Sequence, residues 1–506
     1  MQPHLSVLAL CLTAGLAAPT LAFDDWDGLH AAVVGIGDAD GDGAEDLVVA
    51  HRPRPFGMGN APTETLKVVE QLPRIWALSG TDGRVLWSTT GHARFGTRVA
   101  AVGDLDGDGV DEVATAEDVP RDARVPAPVQ EPTEQERAAG REPVALADLP
   151  DPHAGRARVV VLSGATGERL VELAPPSSPH HFGTGFAGGL QVVGDRTPDL
   201  VVGSHGHVWV VDGATFEPVR GFRLARDGRV HRADVEGWDR PTGPEEVSWA
   251  PADKRDHGDF GNNLALVPDL DGDGAAELVI GGKRPRDAAA QARILGEDEG
   301  EPGERSSWVL FSAGSLADLC LDSSAWRAVA LDDLDGDGMA ELATTTVDQH
   351  LRVWSLGRQE LLWGSDWSGG YMHAEGTSLA VVADRDGDGK RDLLLAANET
   401  AIDCDVGFVS VVSAATGAGL VSSWTDRSAA TPEELRPPMD GGFDADLLGD
   451  LDEDGFEELA VMTPVYQEVR VLDGEDLEVR WARTFDALLA EATAVEVGAD
   501  GESEAD

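Results

Sequence analysis

A nine-residue acidic motif occurs six times in this 506-residue chain and constrains its fold more than any other feature. Each copy has Asp at positions 1, 3 and 5, Gly at position 6, and Asp or Glu at position 9. The copies span 38–46, 104–112, 269–277, 333–341, 384–392 and 450–458. The second and third copies begin 165 residues apart, and a degenerate copy at 195–199 lies between them. We therefore expect seven units built on one plan.

Each unit repeats the same series of short apolar runs. One run precedes the motif, as at 99–102, and another follows it, as at 47–50. Two more runs complete the unit around a Gly-containing turn, as at 75–78 and 85–87. Four short strands per unit are typical of a β-propeller blade, and ring closure protects the sheet edges. The sequence thus predicts an all-β, seven-bladed β-propeller of four-stranded blades over 23–490, followed by an acidic tail over 491–506.

Phe-Gly pairs stand before the motif in three of the units, at Phe95-Gly96, Phe182-Gly183 and Phe260-Gly261. Together with the acidic motifs, these pairs resemble the FG-GAP (VCBS-type) repeat of the integrin alpha-subunit propeller and of many secreted bacterial proteins. The resemblance covers nearly all of 23–490. It implies a propeller fold and an integrin-like role in cell adhesion, although it is far more specific for fold than for function.

The motif has the chemistry of a calcium loop. Alternating carboxylates on a tightly curled backbone supply the oxygen ligands that Ca²⁺ prefers, and Gly at position 6 permits the turn. An EF-hand begins similarly but needs Glu at position 12, where this chain has Val49, Thr115, Ile280, Thr344, Leu395 and Val461. The other alternative is an acidic hairpin turn without metal.

The sequence predicts about six structural calcium ions, one for each intact motif. The expected ligands are Asp38, Asp40, Asp42 and Asp46; Asp104, Asp106, Asp108 and Glu112; Asp269, Asp271, Asp273 and Glu277; Asp333, Asp335, Asp337 and Glu341; Asp384, Asp386, Asp388 and Asp392; and Asp450, Asp452, Asp454 and Glu458. The degenerate copy keeps only Asp195 and Asp199 and is expected to bind no metal.

Charge and the N-terminus restrict the partners and the location. Ninety-two acidic residues against 39 basic ones give a formal charge of −53, which argues against nucleic acid or an anionic membrane as a partner. An apolar run over 5–18 and a small residue at Ala22 predict a signal peptide cleaved after Ala22, and hence a secreted, periplasmic or cell-surface protein. No run is long enough to span a membrane. Export would permit a disulfide between Cys320 and Cys404, the latter expected in the upper loop of the sixth unit.

The loops opposite the acidic motifs form what we call the upper face, and they hold most of the length variation. Loops of this kind commonly carry binding sites. Two basic clusters and two histidines follow second strands there and would suit an acidic partner or glycan, with simple ion pairing as the alternative. These residues are Arg52, Arg54, Lys283, Arg284, Arg286, His205 and His207.

Two functions are compatible with these features. The first is a calcium-stabilised adhesion module that binds a protein or glycan. The second is an exported polysaccharide-acting enzyme, such as a lyase, or a lectin. The chain has no GxSxG, HExxH or P-loop motif, so we expect no enzymatic activity. Trp87, Trp354, Trp363, Trp424 and Trp481 are expected to pack between blades rather than to form a carbohydrate platform.

Overall fold

The computed structural model describes residues 31–51, 73–118, 124–125, 149–150, 157–173, 182–193, 197–204, 207–224, 230–234, 261–269, 275–281, 308–311, 319–321, 325–346, 350–358, 360–366, 378–401, 404–424, 444–463 and 468–492. Within these residues the regular structure is β-strand, apart from a helix over 485–492. The expected signal peptide lies outside them.

The strands form antiparallel sheets one after another along the chain. The first sheet contains β1 (Ala31–Gly37), β2 (Asp46–His51), β3 (Arg74–Leu78) and β4 (Val85–Thr90). The second contains β5 (Val99–Ala101), β6 (Val113–Asp118), β9 (Ala157–Leu162) and β10 (Arg169–Leu173). Between β6 and β9, β7 (Arg124–Val125) and β8 (Leu149–Pro150) form a separate two-stranded pair. The third contains β11 (Gly185–Leu190), β12 (Asp199–Ser204), β13 (His207–Val211), β14 (Pro218–Leu224) and β15 (Val230–Asp234).

The later sheets repeat the four-stranded plan. The fourth contains β16 (Asn263–Val267), β17 (Glu277–Gly281), β18 (Trp308–Phe311) and β19 (Leu319–Leu321). The fifth contains β20 (Ala325–Ala330), β21 (Leu342–Thr346), β22 (His350–Ser355) and β23 (Glu360–Asp366). The sixth contains β24 (Ser378–Val382), β25 (Asp392–Ala401), β26 (Cys404–Val412) and β27 (Gly419–Trp424). The last contains β28 (Asp444–Leu447), β29 (Leu459–Thr463), β30 (Glu468–Leu472) and β31 (Val479–Thr484).

The sheets are arranged radially as a β-propeller. The first strand of each sheet contacts the first strands of the sheets before and after it, and β28 contacts β1. Buried apolar side chains pack between neighbouring sheets: Val48 and Ile75 of the first sheet cluster with Val113 and Val160 of the second. Both faces of each sheet are thus covered by neighbours, which explains the continuous apolar runs in the second and third strands.

The expectation of seven four-stranded blades is wrong in its third member. Six sheets are four-stranded blades, whereas the third sheet has five strands. The additional strand, β15, pairs with β14 from Arg220 opposite Asp234 to Leu224 opposite Val230. It extends the outer edge of the only sheet whose acidic motif is degenerate.

Trp87 and Trp363 on fourth strands join neighbouring sheets, as expected, whereas the side chain of Trp424 lies outside the described part of the structure. The indole Nε1 of Trp87 donates to the carbonyl of Gly164 at 2.6 Å, and that of Trp363 donates to the carbonyl of Ala414 at 2.9 Å. Gly167 in the facing turn has a φ of +72°, and a Cβ there would lie 2.5 Å from the Trp87 ring. The turn therefore needs glycine both for its backbone and for close approach of the indole.

The same contact closes the ring between the last sheet and the first. Trp481 Nε1 donates to the carbonyl of Gly80 at 2.7 Å, and Arg483 Nη1 donates to the carbonyl of Gly83 at 2.9 Å. The helix over 485–492 adds its apolar side to the core between these two sheets, and Glu491 Oε1 accepts from the backbone N–H of Val85. Side chains and one helix thus close the ring, because the first and last sheets exchange no strand.

The two cysteines lie in strands of different sheets. Cys320 is in β19, the fourth strand of its sheet, opposite Val309. Cys404 was expected in a loop but begins β26 opposite Ala401, because β25 and β26 extend into a long hairpin. The fifth sheet lies between the two cysteine-bearing sheets in chain order, and a disulfide stays a prediction.

Candidate metal loops and the upper face

The first aspartate of each acidic loop curls the backbone around its own carboxylate. Asp38 Oδ1 accepts from the N–H groups of Gly41 and Asp42 at 2.7 and 3.1 Å, and Oδ2 accepts from Gly43 at 2.9 Å. The loops that begin at Asp104, Asp333 and Asp384 repeat the bonds from positions 4 and 6. Position 6 takes a positive φ in each case, for example +92° at Gly43, which favours glycine.

Carboxylates from within each loop converge on a small volume. In the fifth unit, Asp333, Asp335, Asp337 and Glu341 each place one oxygen within 4.8 Å of the others. Similar groups form at positions 1, 3 and 5 of the first, second and seventh units and at positions 1, 3 and 9 of the sixth. Such charges repel one another strongly unless a cation or ion pairs neutralise them. In the fourth unit Asp269 and Glu277 are described, while Asp271 and Asp273 lie outside the described residues.

The residue at position 9 also anchors the loop to the neighbouring turn of the same sheet. The carboxylate of Asp46 is fully buried. Its Oδ2 accepts from the N–H groups of Ala39 and Asp40, and its Oδ1 accepts from Gly80 in the turn between β3 and β4. Asp392 bonds likewise to the N–H groups of Arg385 and Ala414. Four strands are thereby held together at the loop end.

The second loop provides the fit test for a cation. Glu112 is fully buried, and its Oε2 accepts from the N–H of Leu105. Its Oε1 is buried and has no hydrogen-bond partner among the described residues. Burial, reinforced by the charges of Asp106 and Asp108, raises the pKa of Glu112 to about 7. An all-oxygen donor set with an unpartnered buried oxygen suits a hard cation such as Ca²⁺.

Basic side chains neutralise the carboxylates of some acidic loops more than those of others. Arg358 Nε lies 3.1 Å from Asp335 Oδ2 in the fifth loop. Arg480 Nη1 donates to Glu458 Oε1 and lies 3.1 Å from Asp452 Oδ2, so the seventh loop is partly neutralised by its own sheet. Even there, burial keeps the pKa of Glu458 above its ordinary value.

The third unit keeps the anchoring carboxylate at position 9, although the rest of its motif is degenerate. Asp199 is fully buried; its Oδ2 accepts from the N–H groups of Val192 and Val193, and its Oδ1 accepts from Gly213. These are the bonds that Asp46 makes in the first unit. Asp195 lies outside the described residues. Position 9 is therefore used for folding even though positions 1 and 3 are Gln191 and Val193 in this unit.

A buried ion-pair cluster at the far end of β6 was not anticipated from the sequence. Glu117 is fully buried and accepts from Arg158 Nε at 2.6 Å and from Arg169 Nη1 at 2.8 Å. Burial alone would raise the pKa of Glu117, but the hydrogen bonds and charges of the two arginines lower it to about 2. No local sequence pattern indicated it, because the two arginines lie 41 and 52 residues from Glu117 along the chain.

The predicted ligand-binding residues of the upper face are only partly described. Arg52, Arg54, Lys283, Arg284, Arg286 and His205 lie outside the described residues. His207 begins β13 at the upper end, and its ring stacks on Trp209 with centroids 5.5 Å apart and planes 10° apart. Among the described residues, no helix is long and apolar enough to cross a membrane.

No family model and no curated protein matches the chain. Solved structures are similar at the level of fold. The BBS1N structure in complex with ARL6DN matches with a TM-score of 0.45 and 10% identity, over 86% of this chain and 90% of that one. The Bacillus licheniformis rhamnogalacturonan lyase PL11 matches with 0.42 and 15%, over 88% and 72%. BamB from Moraxella catarrhalis matches with 0.37 and 12%, over 85% and 82%. Similarity this low carries no functional argument.

Proposed function

We propose that this chain is an exported FG-GAP-type propeller, with the five-stranded sheet as its seventh blade, in which calcium stabilises six loops. The observation that carries this proposal lies in the second loop, where Oε1 of Glu112 is buried without a partner and the carboxylates of Asp104, Asp106 and Asp108 converge. Calcium has a structural role here, since each loop joins strands of its own sheet and position 9 ties the loop to the adjacent turn.

The biological role we propose is adhesion or interaction with a protein or glycan on the upper face, without catalysis. A rigid closed ring supports long loops at that face, which is the usual place for binding residues on such scaffolds. A lyase would need a base and a charge-neutralising group in one pocket. The two arginines that contact the buried Glu117 instead join three strands of one sheet.

Calcium titration of the chelated protein by calorimetry tests the metal assignment. We expect about six equivalents to bind, and a stoichiometry of one or two would contradict the six-loop assignment. Replacing Arg52, Arg54, Arg284 and Arg286 with Ser tests the binding face. The variant should lose retention on an acidic-ligand column, while its calcium stoichiometry and melting temperature stay those of the wild type. Retention that persists would place the binding site elsewhere.

A further inference from the structure

The aspartate at position 3 of each acidic loop uses its two carboxylate oxygens differently. In the first, second, fifth, sixth and seventh loops, Oδ1 accepts a hydrogen bond of 3.0 to 3.3 Å from the backbone N–H of position 5. Because that bond occupies a lone pair of Oδ1, Oδ2 is the freer oxygen for a cation. The five aspartates are Asp40, Asp106, Asp335, Asp386 and Asp452.

In three of these loops an arginine of the same sheet already holds Oδ2. Each arginine lies in the turn between the third and fourth strands or at the start of the fourth strand. The pairs are Arg84 Nη2 with Asp40 Oδ2 at 2.5 Å, Arg358 Nε with Asp335 Oδ2 at 3.1 Å, and Arg480 Nη1 with Asp452 Oδ2 at 3.1 Å. The same contact is therefore made three times around the ring.

The second and sixth loops lack this contact. The turns beside them, 163–168 and 413–418, contain neither Lys nor Arg. Within the described part of the chain, Oδ2 of Asp106 and Oδ2 of Asp386 make no hydrogen bond and no ion pair. Arg385, next to Asp386 in the chain, instead places its guanidinium 4.7 Å from the centroid of the Phe456 ring. The five loops thus fall into two groups.

We propose that Arg84, Arg358 and Arg480 set the calcium affinity of their loops, so that the second and sixth loops fill at a lower calcium concentration than the first, fifth and seventh. This rests on the proposed structural role of calcium and adds a regulation of those sites. A guanidinium on Oδ2 competes with the ion for one oxygen and also repels it. Asp40 and Asp335 are only 12% and 7% exposed, so solvent screens these pairs weakly.

The same arginines stabilise the loops when calcium is absent, because each neutralises one of the converging carboxylates. Removal of one arginine should therefore act in opposite directions on two quantities. The calcium affinity of that loop should rise, and the stability of the calcium-free protein should fall. An arginine that only oriented a ligand for the ion would lower both quantities when removed.

The test compares Arg84→Gln and Arg358→Gln with Arg470→Gln as the matched control. Arg84 and Arg358 are 49% and 48% exposed, so both variants should fold. Arg470 pairs with Glu468, at the end of β30 that lies away from the seventh loop. Titration of each chelated, full-length protein with calcium against a chromophoric chelator measures the affinities, and urea unfolding in EDTA measures the calcium-free stability.

The wild type should show two classes of sites. Arg84→Gln and Arg358→Gln should each move one equivalent from the weak to the tight class, a gain in affinity of about tenfold or more, and should unfold at lower urea in EDTA. Arg470→Gln should leave both classes as they are in the wild type. The total number of bound ions should be the same in all four proteins.

Three outcomes would overturn this proposal. A single class of about six sites in the wild type would contradict it and leave the metal assignment intact. Unchanged or lower affinity in Arg84→Gln and Arg358→Gln would show that the arginines do not compete with the ion, and an equal gain in Arg470→Gln would show that only net charge matters. A wild type that binds no calcium would contradict the metal assignment itself.

Discussion

Glu112 and Glu117 are both fully buried, stand five residues apart around β6, and are stabilised in opposite ways. Glu117 is paired by Arg158 and Arg169, and its pKa falls to about 2. Glu112 lies among aspartates, and its pKa rises to about 7. One end of the sheet thus carries its own positive charge. The other end, in the function proposed above, would depend on a cation from solution.

This contrast explains how so acidic a chain can form a closed ring. Buried carboxylates are tolerated only when they are paired or hydrogen-bonded. The chain has 39 basic residues for 92 acidic ones, so basic side chains can neutralise only part of the acidic charge. In the seventh loop Arg480 contacts Asp452 and Glu458, so a basic side chain neutralises part of the charge of this loop.

Removal of calcium should have the largest effect, because it acts on every intact loop at once. A ligand at one hundred times its Kd contributes about 2.7 kcal/mol per site, and a typical domain is stable by only about 5–15 kcal/mol. Chelation should therefore lower the melting temperature by roughly 10 °C or more. Differential scanning calorimetry with EDTA measures it, and EDTA preloaded with calcium is the control. An unchanged melting temperature would show that the loop of Glu112 does not depend on a bound cation, and the proposed contrast with Glu117 would be wrong.

Substitutions of the two glutamates should change the stability of the protein in different ways. Glu117→Gln leaves Arg158 and Arg169 without their shared carboxylate and should cost about 2–4 kcal/mol, with or without calcium. Glu112→Gln should destabilise the calcium-loaded protein but be neutral or stabilising after chelation, because it removes an uncompensated buried charge. Urea unfolding in both conditions measures this. Glu172→Gln supplies a control, because the Glu172 side chain contacts the same two arginines but is 42% exposed. Equal calcium dependence of the two variants would contradict the assignment.

The free energy of unfolding should depend on pH through the ionisation of Glu117. Because its folded pKa lies below the ordinary value of 4.5, its contribution is fully present above about pH 4.5 and is lost as the pH falls toward 2. A shift of this size corresponds to at most about 3 kcal/mol. The difference in unfolding free energy between wild type and Glu117→Gln, followed from pH 6 to pH 3, should shrink. A constant difference would mean that the arginines do not stabilise the charged form.

A single-loop comparison should give a smaller effect. Asp337 faces the converging carboxylates of the fifth loop, whereas Asp195 belongs to the degenerate third unit. Asp337→Ala should remove one calcium equivalent and about 1–3 kcal/mol of stability, and Asp195→Ala should change neither. Calorimetric stoichiometry and urea unfolding measure the two variants. Equal losses would show that the third unit also holds a cation.

Salt should have the smallest effect. Six calcium ions would offset only 12 of the 53 formal negative charges, so the loaded protein still repels itself. Added sodium chloride screens that repulsion and should raise the melting temperature slightly at saturating calcium. A melting temperature that stays constant or falls with added salt would show that local ion pairs contribute more to stability than long-range repulsion removes.

The parts of the site that the sequence predicts are those built within nine residues. The curl around Asp38 and the convergence of positions 1, 3 and 5 follow from local spacing. The Glu117 cluster depends on arginines 41 and 52 residues away, which no local pattern indicates. The fifth strand β15 is a short, mostly polar segment that lacks an apolar strand pattern. The C-terminal helix did leave a signal, since Phe485, Leu488 and Ala492 recur at helical spacing.

The contact between Trp481 and Gly80 joins residues 401 positions apart. Contacts of such long separation form slowly, because loop closure must precede any gain from them. The core face shared by Val33, Trp76 and Phe485 is covered only when the helix over 485–492 has been made and docked. We therefore expect ring closure to be a late step in folding, and protease resistance of the first sheet should appear only in chains that extend through that helix.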